Sequence, residues 1–361
     1  MLLEELGPIV VFVGPKGSGK SSLIGRILLE ANIVSREDEE EARAVAKLLN
    51  RDSYYSLLVD ETLSERKHGF TQVMKLIGPI KLFDRSIRLV DTPGDFKYFR
   101  DIMAALCIAD KLFITLQPGA RDEIEPFLHI AKALEVEDVV IVLNKQDLST
   151  IPTNGLLHDL TIIPASALKG FNIDCILDEI AKAKFKRRST EPTRMPIIKV
   201  IGDLGIAIGV ITQGSMRIHE QVLIAPEYKV GEIEVIEVHG RKVEIAHAGY
   251  DIGLSMKGVG RQYIKRGYLI GDLKKPPIRA STMRCSLLWS RELREGMNVI
   301  VNVHASQAQC KIARVLADMV ELKVLSPPYL PVDERLRETS VLVLRTNKNI
   351  VGVGICEEVN P

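Results

Sequence analysis

The most specific chemistry in the chain lies in one uninterrupted run, Gly14-Pro15-Lys16-Gly17-Ser18-Gly19-Lys20-Ser21, with Ser22 beside it. Gly-x-x-x-x-Gly-Lys-Ser/Thr is the pattern of a loop that turns backbone N–H groups inward around a phosphate. A helix starting inside that loop adds the positive end of its dipole to the anion site. Lys20 is placed to reach the outer phosphates, and Ser21 can offer its hydroxyl to Mg²⁺. Downstream, Asp91-Thr92-Pro93-Gly94 supplies a carboxylate for Mg²⁺ and, at Gly94, an N–H for the γ-phosphate. Asn144-Lys145-Gln146-Asp147 addresses a base. The Asp147 carboxylate can accept from guanine N1–H and the 2-amino group, and adenine offers neither donor. Lys145 can lay its stem along that base, and Ser166-Ala167-Leu168 with Lys169 can present a backbone N–H to guanine O6. The set specifies GTP/GDP with Mg²⁺, and not ATP.

These motifs need a scaffold that gathers several loops at one edge. Ile9–Val13 reads as a buried strand, and Ser22–Leu29 begins a helix with an apolar stripe. Strands are expected at Ile87–Val90, Leu112–Leu116, Val139–Leu143 and Thr161–Ile163, alternating with helical stretches. That alternation predicts an α/β P-loop domain, doubly wound on a mostly parallel sheet, with each motif after a strand. It stops at the charged linker Lys186-Arg187-Arg188-Ser189-Thr190-Glu191-Pro192. Short strands then follow at Pro196–Val200, Ile206–Thr212, Glu220–Ala225, Glu232–His239 and Gly253–Lys257, the spacing of a small β-barrel. After Lys274-Lys275-Pro276-Pro277, strands at Val299–Val303, Glu321–Leu325 and Val341–Arg345 predict a second, short barrel. The expected domains are 1–188, 189–276 and 277–361.

Composition agrees with a globular protein: 361 residues, 46% hydrophobic and 26% charged, with a net charge of +1. Near-neutrality confines any nucleic-acid contact to a local patch, and Lys184, Lys186, Arg187, Arg188, Arg261, Lys265 and Arg266 are the candidates. Cys107, Cys175, Cys285, Cys310 and Cys356 are scattered, which fits a reducing interior and small apolar core residues better than zinc or disulfides. The histidines show no metal-binding spacing, and Trp289 is expected in a core or rim. With no signal peptide and no long apolar run, a cytoplasmic protein without a membrane partner is expected, as a monomer.

The long stretch before Thr71 narrows the class. Its end, Asp60-Glu61-Thr62-Leu63-Ser64-Glu65-Arg66-Lys67-His68-Gly69-Phe70-Thr71, resembles the translational GTPases, specifically elongation factor 1-alpha of archaea and eukaryotes. There the stretch closes with Glu-Arg-x-x-Gly-x-Thr. Gly25-Arg26-x-Leu28 and Ser53-Tyr54-Tyr55 are similar to the same family, as are Ile264-Lys265-Arg266-Gly267, Val351-Gly352-Val353-Gly354 and His304-Ala305-Ser306-Gln307-Ala308-Gln309-Cys310. The resemblance implies that Thr71 is the first-switch threonine, closing on Mg²⁺ and the γ-phosphate and released when that phosphate leaves. It implies a GTPase, converting GTP to GDP and phosphate, that delivers aminoacyl-tRNA to the ribosome and is served by an exchange factor. The alternative is a paralogous GTP switch with weak hydrolysis that carries a tRNA-mimicking protein or regulates translation.

Three places depart from the family. Its usual histidine after Asp-x-Pro-Gly is replaced by Asp95. Two like charges about 4 Å apart repel by roughly 4 kcal/mol at an effective dielectric near 20, so an unneutralised Asp95 slows hydrolysis. Lys16 stands where the family has an aliphatic gate residue. It is expected to pair with Asp95 across the γ-phosphate site, to stabilise transition-state charge, or to face solvent. Lys20, Thr71 and Gly94 complete the candidate catalytic set. At Pro196–Val200, Ile198 and Lys199 do not supply the acidic residues with which elongation factor Tu helps hold the aminoacyl end of tRNA.

Overall fold

The structure is a computed structural model, and it describes residues 3–60, 71–118, 124–148, 160–186, 188–347 and 349–361. A short helix α1 (Leu3–Leu6) leads into β1 (Ile9–Val13), whose residues are all apolar and buried. Around β1 a six-stranded sheet forms in the order β2-β3-β1-β4-β5-β6. Its other strands are β2 (Lys75–Leu82), β3 (Arg85–Asp91), β4 (Lys111–Leu116), β5 (Val139–Leu143) and β6 (Thr161–Pro164). All pairs are parallel except β2 with β3. Nearly continuous buried runs at β1, β4 and β5, apolar except for Lys111 and Thr115, suit strands covered on both faces.

Helices α2 (Lys20–Glu30) and α6 (Ile173–Ala181) cover one face, placing Leu23, Ile24, Ile27, Ile173, Ile176 and Ile180 in one apolar cluster. Helix α3 (Arg36–Leu48) buries Ala42 and Ala46 in a small cluster with Leu57. Helices α4 (Phe99–Ile108) and α5 (Ile124–Ala133) cover the other face. Strand β2 escapes the sequence reading because Gly78-Pro79 looks like a break. In the fold that dipeptide is an irregularity in an otherwise continuous pairing with β3.

The second region is an eight-stranded sheet whose main path runs β7-β16-β11-β12-β15-β9-β8. It includes β7 (Arg194–Pro196), β8 (Lys199–Ile201), β9 (Ile206–Val210), β11 (Gln221–Ala225), β12 (Lys229–Val238), β15 (Asp251–Lys257) and β16 (Leu269–Asp272); β13 (Arg241–Val243) pairs with β12. A separate pair joins β10 (Ser215–Arg217) to β14 (Ile245–His247). The expected strand Pro196–Val200 is therefore two strands. Ile197 N donates to Tyr268 O at 2.8 Å and Ile198 N to Ile208 O at 2.8 Å, so the chain changes partner between them. Because β7 and β8 lie at opposite ends of the path yet follow each other in sequence, this corner wraps the sheet around its own core.

In the third region β17 (Ile278–Ala280) pairs with β22 (Leu330–Val332). A closed barrel follows the order β18-β21-β20-β19-β23-β24. Its strands are β18 (Thr282–Ser290), β19 (Asn298–Val303), β20 (Ser306–Leu316), β21 (Met319–Ser326), β23 (Val341–Arg345) and β24 (Ile350–Asn360), with the short helix α7 (Arg337–Ser340) before β23. Val341, Val343, Ile350 and Val353 of this barrel enter the same apolar cluster as Phe99, Met103, Phe127 and Ile130. Trp289 joins its edge and stacks on His129 with ring centroids 6.1 Å apart. No helix among the described residues is long and apolar enough to cross a membrane.

Buried charges fasten the regions together. Arg88 on β3 meets Asp251 at 2.6 Å and donates to Gly249 O at 2.8 Å. Lys186 Nζ meets Glu338 Oε1 at 2.9 Å, and Gln213 Nε2 donates to Glu338 Oε2 at 2.6 Å. Arg188 meets Asp110 at 2.7 Å. Lys186 and Arg188, expected as nucleic-acid contacts, are thus nearly buried and used internally. Arg266 likewise meets Asp101 at 2.6 Å, and Arg261 donates to Ile264 O at 2.9 Å. Lys265 lies over the Tyr268 ring at 5.6 Å, and Lys184 lines a charged cleft beside Lys182. Arg187 lies outside the described residues. Four of the cysteines are buried as expected, and Cys175 is exposed.

Candidate functional site

The motifs follow β1, β3, β5 and β6, so the parallel order of the sheet delivers them to one edge. Positive φ at Gly14 (145°), Gly17 (82°) and Gly19 (88°) makes the loop a glycine conformation. Gly19 is also the N-cap of α2. Within the loop, Lys20 Nζ donates to Gly14 O at 2.8 Å and Pro15 O at 3.1 Å. A cavity of about 220 Å³ opens here, lined among others by Lys16, Lys20, Ser21, Ser22, Thr71 and Gly94.

Three oxygen-bearing side chains meet at its floor. Ser21 Oγ and Thr71 Oγ1 are 2.8 Å apart, and each donates to Asp91 Oδ2, at 2.8 and 3.0 Å. Asp91 is fully buried, and its Oδ1 is left without a hydrogen bond among the described residues. Burial pushes this carboxyl's pKa up, against the Ser21 hydroxyl, the nearby Lys20 and Lys75, and the Thr71 hydroxyl. A buried carboxylate oxygen with spare lone pairs, flanked by two hydroxyls, is a hard all-oxygen donor set. The residues present therefore fit Mg²⁺. Ser18 Oγ is a second buried oxygen beside the loop that has no hydrogen-bond partner among the described residues.

Above the floor, Gly94 passes close to the loop: a Cβ there would fall 2.7 Å from Lys16 N and Cα. Only a glycine leaves that contact open. The Lys16 ammonium lies 3.9 Å from Asp95 Oδ2. Asp95 Oδ1 accepts from Lys97 N at 2.9 Å and so caps the short turn Phe96–Tyr98.

The base-directed motifs converge on the far side. Asn144 Nδ2 donates to Ser18 O at 2.9 Å, and Ala167 N donates to Asn144 Oδ1 at 3.1 Å. Asn144 is thus the clasp between the phosphate loop and the loop after β6, and it occupies the Ala167 N–H. Ser166 Oγ donates to Asp147 Oδ1 and accepts from Lys169 N at 3.1 Å. This fixes the exposed Asp147 carboxylate in place, while Leu168 is exposed beside it. Lys145 adopts a positive φ of 64° and reaches Gln117 Oε1 at 3.0 Å.

Sequence reasoning missed Ser56, Asp60 and Gln117. Ser56 and Asp60 line the phosphate cavity, and Asp60 meets Lys75 at 3.5 Å. Ser56 and Gln117 carry no local signature, and Asp60, though it opens the stretch before Thr71, is not marked there as a wall of the cavity. Glu65–Phe70, which carry much of the switch resemblance, lie outside the described residues.

Residues 7–185 match the family described as the elongation factor Tu GTP binding domain. Elongation factor 1-alpha of Sulfurisphaera tokodaii is 24% identical over 426 residues, covering 98% of this chain and 97% of that protein. Among solved structures, the S. cerevisiae Ski7 GTPase-like domain bound to GDP and inorganic phosphate superposes with a TM-score of 0.78 at 16% identity, covering 98% of each chain. A bacterial selenocysteine-specific elongation factor gives 0.73 at 18% identity, and the chain spans only 58% of its length. These structural likenesses establish the shared fold. Residues 7–185 are thus a GTP-binding domain of the elongation factor Tu family, carried in a chain that is similar to elongation factor 1-alpha along nearly its whole length.

Proposed function

We propose that this protein is a GTP-driven translation factor that binds GTP with Mg²⁺ at the edge of the first sheet, hydrolyses it slowly, and delivers aminoacyl-tRNA to the ribosome. The observation that supports it best is the meeting of Ser21, Thr71 and Asp91 within 3.0 Å. It joins the phosphate-loop helix, the switch threonine and the end of β3 in one arrangement.

In this reading Ser21, Thr71 and Asp91 hold Mg²⁺, which supplies charge neutralisation for the outer phosphates. Lys20 exchanges its two carbonyl partners for the β- and γ-phosphates, and the Gly94 N–H meets the γ-phosphate. Asp147, held by Ser166, accepts from guanine. Thr71 is tied to the γ-phosphate state, so its release signals hydrolysis to the rest of the chain. Asp95 adds negative charge beside the γ-phosphate and so slows hydrolysis, and Lys16 offsets that charge.

The Lys16–Asp95 pair also supports a second reading: a switch tuned to hold GTP, which carries a tRNA-mimicking protein or regulates translation. GTP turnover with and without ribosomes, beside Asp95→His, separates the two. Strong ribosome stimulation of the native protein supports delivery. Stimulation only after histidine is introduced supports the holding switch. Absence of GTP binding overturns both.

A further inference from the structure

Away from the nucleotide edge, a groove of about 260 Å³ runs between α3 and the end of α2. Leu28, Val34, Val45 and Leu57 give it an apolar interior, and Asp38 and Glu41 stand on its rim. Helix α3 opens on Arg36 and continues with Glu37, Asp38, Glu39, Glu40 and Glu41, five acids of which all but Glu39 are exposed. Arg43, one turn beyond Glu39, is turned to Glu39 at 2.6 Å and to Tyr54 OH at 2.8 Å. The groove is thus apolar inside and acidic outside.

One short turn, Tyr55–Leu58, belongs to both this groove and the phosphate cavity. Its Ser56 lines the cavity, whereas Leu57 and Leu58 line the groove. The turn is pressed on α2: a Cβ on Gly25 would fall 1.8 Å from Tyr55 O, and Arg26 Nη1 donates to Tyr55 OH at 2.6 Å. On its other side, Val59 O accepts from Lys75 Nζ at 2.9 Å, next to Asp60 of the cavity wall. Displacing Leu57 or Leu58 therefore moves residues that face the nucleotide.

We propose that this groove docks a basic amphipathic segment of a partner protein, and that docking alters guanine-nucleotide release through the Tyr55–Leu58 turn. The coupling rests on the nucleotide-site reading above. An aliphatic side chain fills the space beside Leu28 and Leu57, and lysines or arginines lie along the acidic rim. The same rim repels nucleic-acid phosphates and anionic lipid surfaces, which leaves a cationic protein segment as the matching occupant. By linkage, the bound nucleotide changes affinity for the segment by the same factor that the segment changes affinity for the nucleotide.

The probe is a short fluorescent peptide of leucines and lysines with amphipathic helical spacing, added to the full chain. Saturable anisotropy is expected, weakening with salt and falling about tenfold in Asp38→Lys/Glu41→Lys. Leu58→Asp should weaken it similarly, and a circular dichroism spectrum checks its fold. The surface charge variant keeps the test decisive if Leu58→Asp misfolds. Release of N-methylanthraniloyl-GDP should change about fivefold or more at saturating peptide. Equal binding to the native chain and the charge variant would overturn the groove as the docking site. Binding without any change in release would overturn the coupling. Failure to bind the labelled GDP would instead overturn the nucleotide reading, and with it the coupling, while the anisotropy still judges the groove.

Discussion

The Lys16 ammonium lies 3.9 Å from the Asp95 carboxylate, linking the phosphate loop to the residues that follow β3. With the side chains 57% and 37% exposed, this pair adds little to folding stability. Its effect lies in the charge presented to a γ-phosphate. Asp95→Ala should raise intrinsic GTP turnover by about tenfold, and Lys16→Ala should lower it by a similar factor. The double variant should behave like Asp95→Ala. Single-turnover hydrolysis of all four proteins checks this, and strictly additive effects would show that the two side chains act separately.

Thr71 touches both Ser21 and Asp91, so its loss should be felt by one nucleotide more than the other. Thr71→Ala is expected to weaken GTP binding about tenfold and to change GDP binding by less than about twofold. Asp91→Asn should weaken both and flatten their Mg²⁺ dependence. Fluorescent nucleotide titrations across a Mg²⁺ series read both variants. Equal losses of GTP and GDP in Thr71→Ala would remove its switch role.

Glu338 holds Lys186 from the linker and Gln213 from the second region, all three in buried surroundings. Glu338→Ala leaves the lysine charge without its nearest anion and should cost about 3–5 kcal/mol in urea unfolding. Lys186→Met with Glu338→Leu should recover much of that loss. A double variant as unstable as Glu338→Ala alone would place the defect in packing instead of charge.

His304 is fully buried, and burial, against its bond to Pro331 O at 2.9 Å, holds its pKa down at about 4. An unfolded histidine titrates near 6.5, so between these values the unfolded chain binds the extra proton. The stabilisation is complete above about pH 6.5 and is lost as the pH falls toward 4, by roughly 3 kcal/mol in all. His304→Gln should flatten this part of the stability profile. An unchanged acid limb in denaturant titrations would assign it to other groups.

The phosphate loop was legible in the sequence because its chemistry is done by backbone, and backbone turning demands glycines at fixed spacing. Asp91 and Asn144 were legible because each follows an apolar run that can only be a buried strand. Ser56 and Gln117 were not, since a side chain that reaches the site from another loop leaves no local pattern. The basic linker misled for a related reason. Lys186 and Arg188 look like surface charges until Glu338 and Asp110, far away in sequence, are folded against them. Strand β2 was hidden by Gly78-Pro79, and the corner at Ile197–Ile198 by an unbroken apolar run.

The apolar cluster that α4 and α5 share with Val341, Val343, Ile350 and Val353 sets how the chain comes apart. Prising the last barrel from the first sheet would put Phe99, Phe127 and Val353 into water together, without first unfolding either side. Heat or a protease therefore meets one cooperative object instead of three beads on a string, and a melting curve should show a single step.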